Sequence, residues 1–390
     1  MSLIQEHPQE DTLPAETKQS CWISSLKASN FRSYESLRLS FVQKPVVITG
    51  PNGAGKTNIL EAISLLTPGR GFRKSKLGIL KNFQHPETPW NIHAGIQLPE
   101  GEITISTGLD MASEKERRIV KINGAPQAQT ALNEWIRIIW QTPQSDCLFL
   151  EGMGVRRRFL DTLITQVTPS HSKHLYRYDY SLRERSKLLK EGASDQNWLK
   201  VLEETLAQET VAIAAARADF LERLNQHGLN NVTNFPKFHM EINGLAEKWL
   251  DEMPALSVEE KIQAQLHTNR GEDAMVGGSK IGAHQSEIRV INLDYNHPAE
   301  VCSTGEQKAL LLSLMLANCR LQSTVCGMAP ILLLDEVVAH LDEGRRQSLF
   351  EEILALNVQA WLTGTDPEVF SFLQDKAQFL TVNNATVKEG

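Results

Sequence analysis

The apolar positions fall into three regimes along the chain. Over residues 22–140 they come as short strand-like runs: Trp22-Ile23, Leu37-Arg38-Leu39-Ser40-Phe41, Val46-Val47-Ile48, Ile92-His93-Ala94-Gly95-Ile96, Ile103-Thr104-Ile105-Ser106 and Arg118-Ile119-Val120-Lys121-Ile122, the last followed by Asn123-Gly124. Alternation with period two and an Asn-Gly turn predict an antiparallel sheet of hairpins. A further run, Ile136-Arg137-Ile138-Ile139-Trp140, leads into Gln141-Thr142-Pro143-Gln144. Over about 155–257 the period becomes helical. Leu160, Leu163, Ile164 and Val167 share one face, and two longer stretches, about 172–191 and 195–227, are separated by Gly192-Ala193-Ser194. They predict an antiparallel helical pair that reaches at most about 50 Å at the helical rise. Strand character returns in Ile288-Arg289-Val290-Ile291, and the run Pro330-Ile331-Leu332-Leu333-Leu334 ends in Asp335-Glu336. A continuous apolar run closed by two acids reads as a buried parallel strand with ligands at its C-terminal end. The expected fold is α/β: a head of 21–150 and 286–390, a helical arm of 151–285 inserted between, and a disordered polar tail at 1–20.

The chemistry starts at Gly50-Pro51-Asn52-Gly53-Ala54-Gly55-Lys56-Thr57, placed after a strand and before the helical Asn58-Ile59-Leu60-Glu61-Ala62-Ile63. This is a phosphate loop. Its glycines let backbone N–H groups curl round an anion, and the helix starting near Lys56 points its positive end at the same place. Lys56 is expected to reach the β- and γ-phosphates of ATP, and Thr57 to hold Mg²⁺. Asp335 completes the magnesium site, and Glu336 is the candidate general base for the attacking water.

A second anion site lies at Ser303-Thr304-Gly305-Glu306-Gln307-Lys308, small residues opening the apolar helix Ala309-Leu310-Leu311-Leu312-Ser313-Leu314-Met315-Leu316. About thirty residues before the Asp-Glu strand, it is the arrangement in which the helix end of one subunit covers the γ-phosphate held by another. Leu341-Asp342 belongs at the same seam. Two composite sites in an ATP-dependent homodimer are the expectation.

Composition narrows the class. The chain has 390 residues, 41% of them hydrophobic, and no apolar stretch approaches the roughly 18 residues of a membrane span. Neither a span nor an export signal is read, so the expected compartment is the cytoplasm. Five scattered cysteines without a C-x-x-C suit reduced thiols. His171 and His174, one turn apart without a third ligand, read as a solvated helix face. A net charge of −7 confines any nucleic-acid contact to local patches. Two patches qualify: the basic loop with Arg70, Arg73, Lys74 and Lys76, and the strip from Arg156, Arg157 and Arg158 through Lys173, Arg177, Arg183, Arg185, Lys187 and Lys190, whereas 191–260 is strongly acidic.

The phosphate loop, Ser303-Thr304-Gly305-Glu306-Gln307, Asp335-Glu336 and Leu341-Asp342 together resemble the ATP-binding-cassette ATPases. Asn30-Phe31-Arg32-Ser33-Tyr34, Asn52 through Ile63, Gly69-Arg70-Gly71-Phe72-Arg73, Arg156-Arg157-Arg158-Phe159-Leu160-Asp161 and Leu362-Thr363-Gly364-Thr365 resemble the RecF branch of the SMC-like DNA-repair ATPases, from about residue 22 to the end. The resemblance implies an ATP-binding-cassette head like those of SMC and Rad50 proteins. It implies a slow, DNA-stimulated ATPase that binds double-stranded DNA near single-strand gaps, works with RecR and RecO, and helps a recombinase load in repair and replication restart. It also implies that Gln144 senses Mg²⁺ and γ-phosphate, and that Thr363 stands at a switch position. Two departures stand out: Gly282-Ala283-His284-Gln285-Ser286-Glu287 occupies a place where the family commonly has Gly-Pro-His-Arg and acids, and Thr304 replaces a glycine. A transporter's ATPase subunit shares the cassette residues, but about 280 residues between loop and Asp335 disfavour it. A scaffold that binds nucleotide without turnover is disfavoured by Glu336.

Overall fold

The computed structural model describes residues 19–110, 116–192, 195–229, 234–338 and 341–389, without the side chains of residues 19, 20 and 144. Of the expected tail at 1–20, residues 1–18 lie outside the described residues. At its centre is a six-stranded sheet in the order Thr386–Glu389, Gln378–Asn383, Val46–Thr49, Ala360–Gly364, Ile331–Leu334, Ile138–Gln141. All pairings are parallel except the terminal hairpin of the first two strands. Thr49 pairs with Gly364, and Leu334 with both Leu362 and Gln141, so these strands end along one edge. In an open α/β sheet that edge is where ligands bind.

Period-two alternation along these strands feeds two cores. Val46, Ile48, Ile331, Leu333 and Trp361 face one apolar cluster, and Val47, Leu332, Leu334 and Leu362 face the other. The first cluster contains Ile59, Leu60 and Ile63 of the Lys56–Ser64 helix, and it is covered by a second sheet in the order Tyr34–Ser40, Trp22–Phe31, Asn91–Leu98, Gly101–Asp110, Arg117–Ile122, Ala125–Gln127. That sheet is antiparallel throughout, as the alternation predicts, and Asn123 and Gly124 take positive φ of 49° and 80° in the expected turn.

The second cluster packs helix Met153–Val167, the C-terminal part of Gln196–Leu229 and the long helix Thr304–Cys326 against the parallel sheet. By length and composition Thr304–Cys326 would suit a membrane span, but 72% of its apolar window is buried inside the protein. It is the central core helix, which explains why it is apolar all round.

The arm is the expected helical pair, His171–Lys190 and Gln196–Leu229, joined by Ala255–Thr268 around a third apolar cluster. Buried ion pairs stitch it. Arg185 donates to Glu203 at 3.0 Å and Asp273 at 2.7 Å. Lower down, Arg217 forks onto Asp161 at 2.9 and 2.8 Å and donates to Ala283 O.

Three expectations need correction. Gln19–Ser20, the end of the expected disordered tail, pairs in parallel with Met328–Ala329 and so belongs to the folded head together with the buried Cys21. Phe238–Asn243 is a strand paired with Glu287–Asn292, inside a stretch read as helical; its Phe238, Met240 and Ile242 do alternate, but six residues were too few to stand out among helices. His171 is buried and meets Asp161 at 3.0 Å, and His174 meets Glu209 at 2.6 Å, so this pair braces the arm and is not a solvated face.

Removing one partner from a buried pair leaves an uncompensated charge. Arg217→Ala is expected to destabilise the protein by about 3–5 kcal/mol, whereas Arg223→Ala, on the same helix but exposed, should stay within about 0.5 kcal/mol. Denaturant unfolding followed by circular dichroism compares the two directly.

Candidate nucleotide site

Three glycines shape the phosphate loop. Gly50 has φ +148°, and a Cβ there would stand 2.1 Å from Val382 O; Gly53 (φ +77°) and Gly55 (φ +114°) are also in conformations that disfavour a side chain. The loop is tied from outside by Ala385 N, which donates to Ala54 O at 3.0 Å. The following helix has no acid in its first turn to compete with an anion. Lys56 is buried and its Nζ donates to Gly50 O at 2.7 Å and Pro51 O at 3.0 Å. Burial lowers its pKa, and the nearby charges of Glu336 and Asp335 work the other way.

Asp335 lies where the strand reading put it, at the end of Ile331–Leu334. Its Oδ1 accepts from Thr57 Oγ1 at 3.1 Å and from Thr363 Oγ1 at 2.8 Å. Burial raises its pKa, partly offset by those two hydroxyls. Glu336 has a left-handed backbone, φ +55°, rare for a residue with a side chain, and its N–H donates to Thr363 Oγ1 at 2.8 Å. Thr363 is fully buried, and its hydroxyl donates to Asp335 and accepts from the Glu336 N–H, linking the two acids at the expected switch position. A hydroxyl and a carboxylate already 3.1 Å apart at the end of a phosphate loop are hard oxygen donors that fit a magnesium ion. Gln141 Oε1 is buried without a partner beside them, a polar acceptor in the cavity that Asp335 and Glu336 line. Gln144 sits in the short helical turn Pro143–Cys147, and its side chain lies outside the described residues.

The motif Asn30-Phe31-Arg32-Ser33-Tyr34 turns out to be the brace of this loop. Asn30 and Arg32 take positive φ at the end of their strand. Arg32 then forks onto the fully buried Glu61 at 2.8 and 2.6 Å, and Tyr34 OH donates to Gly55 O at 3.2 Å. Ser33 Oγ accepts from Asn58 Nδ2 at 2.9 Å, while Asn58 Oδ1 accepts from Arg73 at 3.2 Å. Asn58, expected among the nucleotide contacts, therefore has both ends of its amide engaged in bracing. Arg73 also pairs with Glu61 at 3.3 Å, and like Arg70 and Lys74 it remains exposed. Arg118, which no motif marks, is buried and donates to Thr67 O and Gly69 O, closing the end of the loop helix. Burial pushes its pKa down to about 10.

At the second anion site Ser303 caps helix Thr304–Cys326 through a capping box with Glu306. Gln307 is buried, donating to Ala299 O and Cys302 O, so it is a brace and not a contact. Ser303, Thr304 and Gly305 are exposed, with open space around Gly305. Asp342, also exposed, caps helix Glu343–Ala355. Lys308 pairs with Asp146 at 3.1 Å, tying this helix to the turn that carries Gln144. Arg156 donates to Phe149 O and Glu151 O and lies 3.7 Å from both Glu287 and Glu300, and Arg157 donates to Ser286 O. These two guanidiniums are internal braces between the Gln144 region and the approach to Ser303, which corrects their reading as DNA contacts; Arg158 is exposed.

The family described as RecF/RecN/SMC N terminal domain matches residues 22–388. The chain is 41% identical over 378 residues to the DNA replication and repair protein RecF of Mesorhizobium japonicum, covering 96% of this chain and 98% of that one. It is 41% identical to the RecF of Rhizobium rhizogenes over 365 residues, 93% of this chain and 96% of the relative. The chain belongs to the RecF family of DNA replication and repair proteins. Membership makes it an ATP-binding ATPase of the RecF/SMC type. A solved structure titled as the recombination mediator protein RecF with ATP in the RecFOR pathway superposes with TM-score 0.82 at 24% identity, covering 95% of this chain and all of the other. An SMC head from Pyrococcus furiosus matches with TM-score 0.55 at 16% identity over 95% of this chain and 96% of that one. RecF and SMC heads thus share this chain's architecture, the cassette-type head the motifs implied.

A carboxyl whose folded pKa is raised costs stability once it ionises. The cost is absent below the ordinary value of 3.8 and grows as pH rises through the folded value. Asp335→Asn, which keeps an acceptor for Thr57 and Thr363, is expected to raise the melting temperature of the nucleotide-free protein by a few degrees at pH 7, with the gain vanishing near pH 3.5–4. Calorimetry across pH checks both the gain and its sign.

Proposed function

We propose that this chain is an ATP-dependent, DNA-binding recombination mediator that dimerises on ATP in the presence of Mg²⁺, engages double-stranded DNA near single-strand gaps, and helps a recombinase load together with RecO and RecR in the cytoplasm. The observation that carries the reading is the pairing of a fully built phosphate loop with an exposed, capped helix tip at Ser303 and Gly305. The N-terminus of this 23-residue helix, open to solvent at Ser303, Thr304 and Gly305, is an anion receptor, and a twofold partner's triphosphate is the anion that would complete it.

In this reading Lys56 exchanges the carbonyls of Gly50 and Pro51 for the β- and γ-phosphates. Thr57 and Asp335 hold the magnesium ion, which when bound neutralises phosphate charge. Glu336, fixed by its own strained backbone and by Thr363, accepts a proton from the attacking water. Nothing here is a motor stroke. ATP has higher affinity for the closed pair than for open subunits and so shifts the population toward closure, and hydrolysis returns it. The turnover is slow and rises on duplex DNA. Support for the repair role comes from the relatives' names and from the extent of the identity.

Sedimentation with Mg²⁺ and ATP tests the clamp. Glu336→Gln should bind ATP and accumulate as a dimer that falls apart when nucleotide is removed, whereas Lys56→Ala should lose nucleotide binding at least a hundredfold and stay monomeric. A Glu336→Gln variant that is saturated with ATP yet monomeric contradicts the reading.

A further inference from the structure

Arg156 and Arg157 donate to backbone carbonyls, so the free basic character of the arm lies further along it. On helix His171–Lys190 the residues Lys173, Tyr176, Tyr180, Arg183, Lys187 and Lys190 follow one another at steps of three and four, which lines them along a single face. All six are exposed, Tyr176 at 68% and Tyr180 at 45%, and the opposite face carries the buried Tyr178, Ser181 and Arg185. The stripe contains four cations, two tyrosines and no acid. Lys173, Arg183, Lys187 and Lys190 make no ion pair among the described residues; Arg183 uses only its Nε, on Asp179 O. Asp179 and Glu184 flank the stripe, and so does Arg177, which lies 3.5 Å from Glu209.

At its far end the stripe opens onto a groove of about 510 Å³ between Arg183 and Ser186 on one side and Gly277, Gly278 and Ser279 on the other. Gly277 has φ +78° with the Lys190 side chain beside it, and the space at Gly278 is open. The groove adjoins the segment at 282–287 in which this chain departs from its family's usual pattern.

We propose that this stripe, with the glycine-lined groove at its end, is the surface on which the arm receives the sugar-phosphate backbone of duplex DNA. The inference rests on the reading of the chain as DNA-binding and adds where the duplex lies. From Lys173 to Lys190 the helix rises about 26 Å. That matches about seven phosphates of one strand at 3.4 Å per base pair. Four unpaired cations in a row, on a chain of net charge −7, complement a regular polyanion. Phenolic hydroxyls donate to phosphate oxygens as well, so tyrosines between lysines suit a backbone track. The centre of a protein interface would instead need a desolvated apolar cluster, which the stripe lacks.

The test uses the full chain carrying Lys173→Gln, Arg183→Gln, Lys187→Gln and Lys190→Gln together, with binding to a fluorescent 30-base-pair duplex measured by anisotropy across a salt series with ATP present. All four positions are exposed and outside the nucleotide site, and an unchanged ATP-dependent dimer certifies the fold. The expected result is that the slope of log affinity against log salt shrinks by about 3–4. Affinity near 100 mM salt should fall at least tenfold. In the single Lys187→Gln variant the slope should shrink by about one. Tyr176→Ala with Tyr180→Ala should weaken binding with the slope unchanged. A quadruple variant that binds duplex as the parent does, with the same slope, overturns the proposal and leaves the stripe to an acidic protein surface. If the parent chain itself fails to bind duplex, the DNA-binding reading falls, and the stripe's role with it.

Discussion

The carboxylate of Asp335 receives one hydroxyl from each half of the head, from Thr57 across 278 positions of sequence and from Thr363 across 28. A buried carboxylate is costly unless its lone pairs are met. Here the cost is reduced, though not removed, when the strands Val46–Thr49, Ile331–Leu334 and Ala360–Gly364 lie side by side with their ends level. The position of the arm follows from this. Whatever is inserted between the two halves has to leave the sheet and return to it, so the segment between Gln141 and Ile331 is free to elaborate a helical lobe without disturbing the edge that carries the chemistry.

Rigidity around that edge is unevenly distributed. The phosphate loop is held from three sides: by Tyr34 on Gly55 O, by Ala385 on Ala54 O, and through Glu61, which carries Arg32 and Arg73 on a fully buried side chain. The helix tip at Ser303 is exposed, while the helix behind it is anchored in the core from Ala309 onward and tied by Lys308 to Asp146.

Much of this was legible in the sequence where chemistry is local. The phosphate loop, the Asp-Glu strand, the hairpins with their Asn-Gly turn and the two arm helices each announce themselves within a dozen residues. What stayed hidden depends on partners distant in sequence. Nothing near Arg156 or Arg157 says that their guanidiniums end on backbone carbonyls, and a run of three arginines on a helix looks the same whether it faces DNA or the protein interior. The role of Arg32 needed Glu61 to be seen across the fold. That Thr363 links Asp335 to the backbone of Glu336 was likewise invisible until the strands were paired. His171 failed as a surface residue because Asp161, itself held by Arg217, meets it from another helix. Phe238–Asn243 was lost to brevity: a six-residue alternation between helices is weak signal until Glu287–Asn292 pairs with it.

The central claim is that each nucleotide is held by two molecules, by the lysine of one and the helix tip of the other. Mixing two defective variants tests it most directly. Lys56→Ala removes the loop's grip and Ser303→Arg blocks the lid, so neither should dimerise alone with ATP, yet a mixed pair retains one complete site. The account predicts that mass measurement of the mixture, with one variant carrying a mass tag, shows an ATP-dependent heterodimer and neither homodimer. Absence of any mixed species, or a Ser303→Arg protein that dimerises with ATP as the parent does, would contradict it.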